Sequence, residues 1–225
     1  MQLLLAADLH GQWSVFDWLL TVAHERRVDA MVLAGDLLGC PDGFSTIEKA
    51  QRHDADRANV LLGEAGIPVF YVMGNDDLIE LNASSNQVQS IHGRQVRWDR
   101  FTFVGYQFSL PFMGGTFEKP ESAIEGDLAA MSIDFDTQTI FVSHSPVFGI
   151  LDPGFGDTQI GSHALRRFLD ARPYLAHVHG HSHEGFGRSG KHFNVASAGR
   201  RRAMLLNLDT MKHQVLNAEQ HTIED

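Results

Sequence analysis

Short apolar runs alternate with amphipathic stretches through the first third of the chain. Residues 3–7, 30–34 and 68–73 are apolar and predict short buried strands. Between the first two, residues 13–26 carry Val15, Trp18, Leu19 and Val22 at helical spacing. Residues 46–64 also read as a helix. This strand-helix-strand-helix-strand order predicts a mostly parallel sheet covered by helices. Further on, residues 91–98 and 101–108 predict an antiparallel pair. Helices are expected over 121–131 and 162–171, and strands over 139–142 and 174–179. Residues 192–196, 203–208 and 214–217 are strand-like, with antiparallel pairing expected. The stretch 109–121, rich in Pro, Gly and Phe, reads as a loop. No repeat, low-complexity tract or linker interrupts the chain, so one layered α/β domain over 1–225 is expected.

Five predicted strands end in unusual polar groups. The first runs into Asp8-Leu9-His10 and the second into Gly35-Asp36. The third runs into Gly74-Asn75-Asp76-Asp77, and residues 139–142 into Ser143-His144. The strand over 174–179 runs into Gly180-His181-Ser182-His183. Sites in parallel α/β sheets form beyond the carboxyl ends of strands, so distant segments would converge on one edge. Any one of Asp8, Asp36 and Asn75 is also an ordinary turn or helix-cap residue. Five such groups at the same relative place point to a site.

Oxygen and imidazole donors suit Mn, Fe, Zn or Ni better than a thiolate-bound soft metal. In extended chain, residues i and i+2 point the same way. Asp8 and His10 would then reach one ion together, and His181 and His183 the same ion or adjacent ions. The ligand count fits two divalent or trivalent metal ions. Paired metals about 3.5–4 Å apart lower the pKa of bridging water and stabilise an in-line displacement at phosphorus.

Composition narrows the class further. The hydrophobic content of 43% supports a packed core. Apolar runs of about five residues fall far short of the roughly 18 that span a bilayer. The N-terminus lacks a basic start and Asp8 interrupts its apolar run, so a signal peptide is not expected. A single cysteine, Cys40, excludes an intrachain disulfide and suits a cytoplasmic location. The formal charge of −10 argues against a duplex nucleic-acid partner. It does not argue against a small-molecule phosphate ester, because a metal pair outweighs two carboxylates and a hydroxide inside one pocket. No membrane partner is expected, and nothing in the chain fixes an oligomeric state.

These residues resemble the calcineurin-like metallophosphoesterase family. Its pattern is D-x-H, GD, GN followed by H or D/E, a lone H, and GHxH. Here it stands as Asp8-Leu9-His10, Gly35-Asp36, Gly74-Asn75-Asp76-Asp77, His144 and Gly180-His181-Ser182-His183. Residues 145–184 resemble a narrower branch, predicted phosphoesterases related to cyclic-nucleotide phosphodiesterases. The resemblance implies a four-layer α-β-β-α sandwich with mixed sheets. It implies one metal held by Asp8, His10, Asp36 and His183, and a second by Asp36, Asn75, His144 and His181. Asp36 would bridge, and a metal-bridging hydroxide would attack phosphorus in line. The expected activity is a phosphodiesterase on a small molecule, with a nuclease of the same fold or a weakly active, metal-stabilised interaction module as alternatives.

One departure bears on catalysis. Most active members carry His directly after the Asn, where it stabilises the phosphoryl group or protonates the leaving oxygen. This chain has Asp76, which would repel a phosphate unless protonated or turned away. The catalytic set is therefore read as Asp36, Asn75 and Asp76, with modest activity best on diesters or aryl esters. His177 and His179 fall inside the strand and read as buried neutral residues or as supports behind the ligands. Cys40 reads as a packing residue, and Arg200-Arg201-Arg202 as a solvated strand start. Residues 108–117 read as a lid or a packed surface loop, and the narrower resemblance suggests a substrate contact for Asp152.

Overall fold

The computed structural model describes residues 1–81, 86–156 and 158–217, and gathers the apolar blocks into two six-stranded sheets. The first holds β1 (Gln2–Ala6), β2 (Ala30–Ala34), β3 (Val69–Val72), β4 (Val88–Ser90), β11 (Arg202–Asn207) and β12 (His213–Asn217), in the order β12-β11-β1-β2-β3-β4. The second holds β5 (Gln95–Trp98), β6 (Phe101–Tyr106), β7 (Thr139–Ser143), β8 (Ala176–His179), β9 (Gly187–Ser189) and β10 (His192–Asn194), in the order β5-β6-β7-β8-β10-β9. Each sheet has a parallel centre, β1 to β4 in one and β6-β7-β8-β10 in the other, with antiparallel strands beside it.

The period-2 alternation of the strands decides the layering. In β1, Leu4 and Ala6 pack with Val15, Phe16, Leu19 and Val22 of α1 (Trp13–Glu25). The neighbouring Leu3 and Leu5 face the other way, onto Phe103, Ile140, Val142 and Val178 of the second sheet. The outer face of that sheet, through Val104 and Phe141, packs on Ile124 and Leu128 of α3 (Glu121–Ala130) and on Leu165 and Phe168 of α4 (His163–Asp170). The order of layers is helix, sheet, sheet, helix, the mixed-sheet α-β-β-α sandwich expected from the resemblance. Helix α2 (Ile47–Gly63) starts where Thr46 accepts the Lys49 N–H, and α4 where Ser162 accepts that of Leu165.

Two expectations need correction. Residues 91–98 do not form one strand. Val88–Ser90 extends the first sheet beside β3, Ile91 donates to the Tyr71 carbonyl, and only Gln95–Trp98 pairs antiparallel with β6. The segment that follows the second histidine motif is also not wholly antiparallel. β10 runs parallel to β8, and the short β9, which carries little apolar signal, is its antiparallel neighbour. Among the described residues, no helix is long and apolar enough to cross a membrane.

Candidate metal centre

All the strand-end groups converge. Asp8, Asp36 and Asn75 follow β1, β2 and β3 of the first sheet, while His144, His181 and His183 follow β7 and β8 of the second. The site therefore straddles the seam between the two sheets. One carboxylate, imidazole and imidazole set is Asp8, His10 and His183, and another is Asp36, His144 and His181. A third, His10, Asp36 and Asp76, links them, and within each set the donor atoms lie within 4.8 Å of one another.

The local backbone differs from the extended chain assumed from spacing. Asp8, His10, Asp36 and His181 all have positive φ, at 55°, 46°, 52° and 64°. Asp and His tolerate this left-handed region better than most side chains. Asp8 and His10 share a neighbourhood because the chain turns after β1, and His183 sits in a short 3₁₀ turn (His183–Gly185). Strained backbone of this kind persists where the surroundings over-determine it. Two glycines show how tightly. A Cβ on Gly74 would strike an Asp36 carboxylate oxygen, and one on Gly180 would strike that of Asp8.

Hydrogen bonds fix how each side chain is presented. His144 Nδ1 lies 2.9 Å from the Ala34 carbonyl, which only accepts, so Nδ1 carries the proton. Its Nε2 then faces Asn75 Oδ1 at 2.9 Å and Asp36 Oδ2 at 3.3 Å. Asn75 donates its Nδ2 to Asp76 at 2.8 Å, which turns the amide oxygen inward. Asp8 accepts the His181 backbone N–H, and its Oδ1 lies 3.1 Å from His183 Nε2. His10 reaches Asp76 through Nδ1 at 3.5 Å, while its Nε2 is buried without a partner. That orphaned nitrogen, beside buried carboxylates and imidazoles, fits a site for divalent cations.

The electrostatics agree with a site built for positive charge. Burial works to raise Asp36, but His144, His10 and His181 hold it well below the usual carboxylate range. Burial disfavours protonated His144, yet the charge and hydrogen bond of Asp36 push it up to about 10. His181 is pushed down to about 4 by burial and by His144, so it stays a neutral donor. His183 is raised by its hydrogen bond to Asp8. Asp76 is raised by burial and by the Asp36 charge.

A calcineurin-like phosphoesterase family model matches residues 1–185. The chain belongs to the calcineurin-like phosphoesterase family. As a family member it shares its fold with solved structures of low identity. One superposes with a TM-score of 0.78 at 16% identity, covering 96% of this chain and 98% of the other. The protein TT1561 of Thermus thermophilus gives 0.70 at 17% identity over 96% and 98%. A dimetal phosphatase from Danio rerio gives 0.57 at 13% over the same shares. No curated protein matches the sequence.

Several residues near the site act on backbone groups. Asp77 is fully buried and accepts the backbone N–H groups of Leu37, Leu38 and Gly74, fastening the loop after β2 to the loop after β3. Burial and the nearby Asp36 push its carboxyl up to about 7. Gln51 of α2 braces the same loop, donating to the Asp76 carbonyl at 2.7 Å and accepting from Leu78 N–H. Nothing in the spacing of these two residues signals their role, because both act on backbone groups. Asp152 is not among the residues that line the cavity over the metal-ligand candidates. Its carboxylate accepts from Gly149 and Gly161 N–H and shapes its own loop. Cys40 is exposed rather than packed.

His177 and His179 are buried, in keeping with their place inside the strand. His177 bonds Ser143 at 2.8 Å and His192 at 2.9 Å, and His192 in turn meets Tyr174 at 3.1 Å. Arg202 donates to the Ala196 and His183 carbonyls, and Arg200 pairs with Glu184. His53 is exposed beside Asp54, and His163 stacks on Phe148 with ring centroids 3.8 Å apart. Neither lines the cavity over the metal-ligand candidates. His221 lies outside the described residues.

Proposed function

We propose that this chain is a binuclear metal-dependent phosphodiesterase acting on a small-molecule phosphate ester. The observation that carries the reading is the pairing of the Asp8–His10–His183 and Asp36–His144–His181 sets across the seam between the sheets. Asp8, His10, Asp36 and His183 would hold one ion, and Asp36, Asn75, His144 and His181 the other, with Asp36 shared. Bound there, two divalent cations would supply acidified water and positive charge against the phosphoryl oxygens.

The side chains prepare that site. His144 is locked by Ala34 with Nε2 facing in, and Asn75 is turned by Asp76 so that its oxygen joins the set. Asp36, kept ionised, supplies the shared carboxylate. Asp76 lines the cavity with Asp36 and Asn75. A second negative charge there disfavours a monoester dianion more than a diester monoanion, which supports the diester assignment.

The test is removal of one ligand from each set. Asp8→Ala and His181→Ala should each lose bound manganese, read by elemental analysis. Each should also lose turnover of an aryl phosphodiester by a factor of about a hundred or more. Full turnover in a metal-free variant would overturn the reading.

A further inference from the structure

Two phenylalanines stand in the open beside the charged site. Phe112 is 67% exposed and Phe155 98% exposed. Both nevertheless line the cavity of about 250 Å³ that contains Asp36, Asn75, Asp76 and His181. A volume of that order takes a small molecule, and apolar walls with a few convergent polar groups are the usual form of a ligand pocket.

Neither ring sits on a loose loop. The Phe112 loop is closed at its base by Ser109 N–H to Phe117 carbonyl at 3.0 Å and Lys119 N–H to Ser109 carbonyl at 2.9 Å. Inside it, the Glu118 carboxylate accepts the N–H groups of Phe112, Met113 and Gly114, each at 2.9 Å. A Cβ on Gly115 would strike the Asn75 carbonyl, so this loop rests directly on the backbone of a metal-ligand candidate. The Phe112 ring also meets the His181 ring edge-on, with centroids 6.1 Å apart. The Phe155 loop is closed by Gly154 N–H to Thr158 carbonyl at 2.8 Å and Ile160 N–H to Asp152 carbonyl at 3.0 Å. Ser182, between His181 and His183, donates to the Pro153 carbonyl at 2.6 Å. Each loop is thus bonded to, or packed on, the chain that carries the metal-ligand candidates.

These braces order the backbone under two side chains that bury little of their own surface. That arrangement gives the protein little packing benefit and leaves apolar surface for an incoming group. A phosphoryl group held beside Asp36, Asn75 and His181 would have its organic substituent in the cavity that the two rings also line. Phenyl groups favour flat partners, offset or edge-on, beyond the gain from area alone. We infer that Phe112 and Phe155 form a specificity subsite for a planar aromatic ring borne on the phosphate ester. This inference rests on the phosphoesterase reading and names the substrate class of the same site.

The test is calorimetric titration of the manganese-loaded 225-residue chain with phenylphosphonate and with methylphosphonate, each as its monomethyl ester, which carries a single negative charge as a phosphodiester does. The two ligands share the anionic head and differ in the ring. Phenylphosphonate should bind about tenfold more tightly. Phe155→Ala, which removes a side chain in contact with solvent, should cut that preference about threefold, and Phe112→Ala with Phe155→Ala should abolish it. Methylphosphonate should move less than about twofold in Phe155→Ala. Equal affinities in the unmodified chain, or a preference that survives the double substitution, would overturn the subsite alone. Binding of neither phosphonate would overturn the phosphoesterase reading and the subsite with it.

Discussion

At position 76 a carboxylate adds negative charge to the lining of the cavity. It accepts the Asn75 amide, lies 3.5 Å from His10, and has its own pKa raised by burial and Asp36. Asp76→Asn keeps an oxygen acceptor for Asn75 and removes the charge. The ratio of kcat/KM for an aryl monoester over the matching diester should rise about tenfold, the effect of roughly one unit charge at that range. Asp76→His, which adds a donor, should raise turnover of the aryl diester. An unchanged ratio in the first variant and unchanged or lower turnover in the second would show that Asp76 does not limit this enzyme. Asp8, Asp36, Asn75, His144 and the histidine pair were legible because strand ends expose them as polar residues among apolar runs. Asp77 stood in the same strand-end group, but its role and that of Gln51 were not legible, since the groups they satisfy are backbone N–H and carbonyl, which every sequence possesses.

Within one element, β8 carries a chemical liability. His177 is held far below its ordinary value by burial and by His179 and His192. His179 is pushed down to about 3 and His192, on the adjacent β10, to about 4, both mainly by burial. All three are neutral when folded and take up protons when unfolded. Their contribution is therefore intact above about pH 6.5 and is lost as pH falls from there toward about 4. Denaturant unfolding of the metal-free chain across that interval should show uptake of about three protons, the uptake by His181 offsetting the release from Asp77. His179→Leu should reduce the slope by about one proton. A pH-independent midpoint between about pH 4.5 and 6.5 would contradict the burial assigned to these rings. Their alternation along the strand was readable from the sequence. The parallel neighbour that buries them was not, because β10 reaches β8 only after the brief excursion through β9.

At the scale of the whole molecule, the metal-ligand candidates come from both of two sheets whose facing surfaces are apolar. In the metal-free chain, His144 is pushed up to about 10, so the stability its proton contributes is fully present below about pH 6.5 and is lost as pH rises toward about 10. Asp77, pushed up to about 7, adds a loss as pH rises between about 4 and 7. A cation held by His144 would replace that proton and would meet the least competition from it at high pH. The rise in Tm on adding manganese should therefore be larger at about pH 8 than at about pH 6, by several degrees in a thermal melt. A smaller rise at the higher pH would place the cation elsewhere. The strand-and-helix rhythm predicted only a mostly parallel sheet covered by helices; the four-layer order came from the family resemblance, because the pairing of the two sheets depends on which face of each strand meets which partner.

The bare backbone at Gly74 and Gly180 has an outcome for anyone who would transplant this chemistry. Each leaves room for a carboxylate contributed by a different stretch of chain, Asp36 in one case and Asp8 in the other. The motifs are thus mutually keyed, and a graft that moves one of them into a foreign scaffold, without the glycine that accommodates it, imports a collision in place of a ligand.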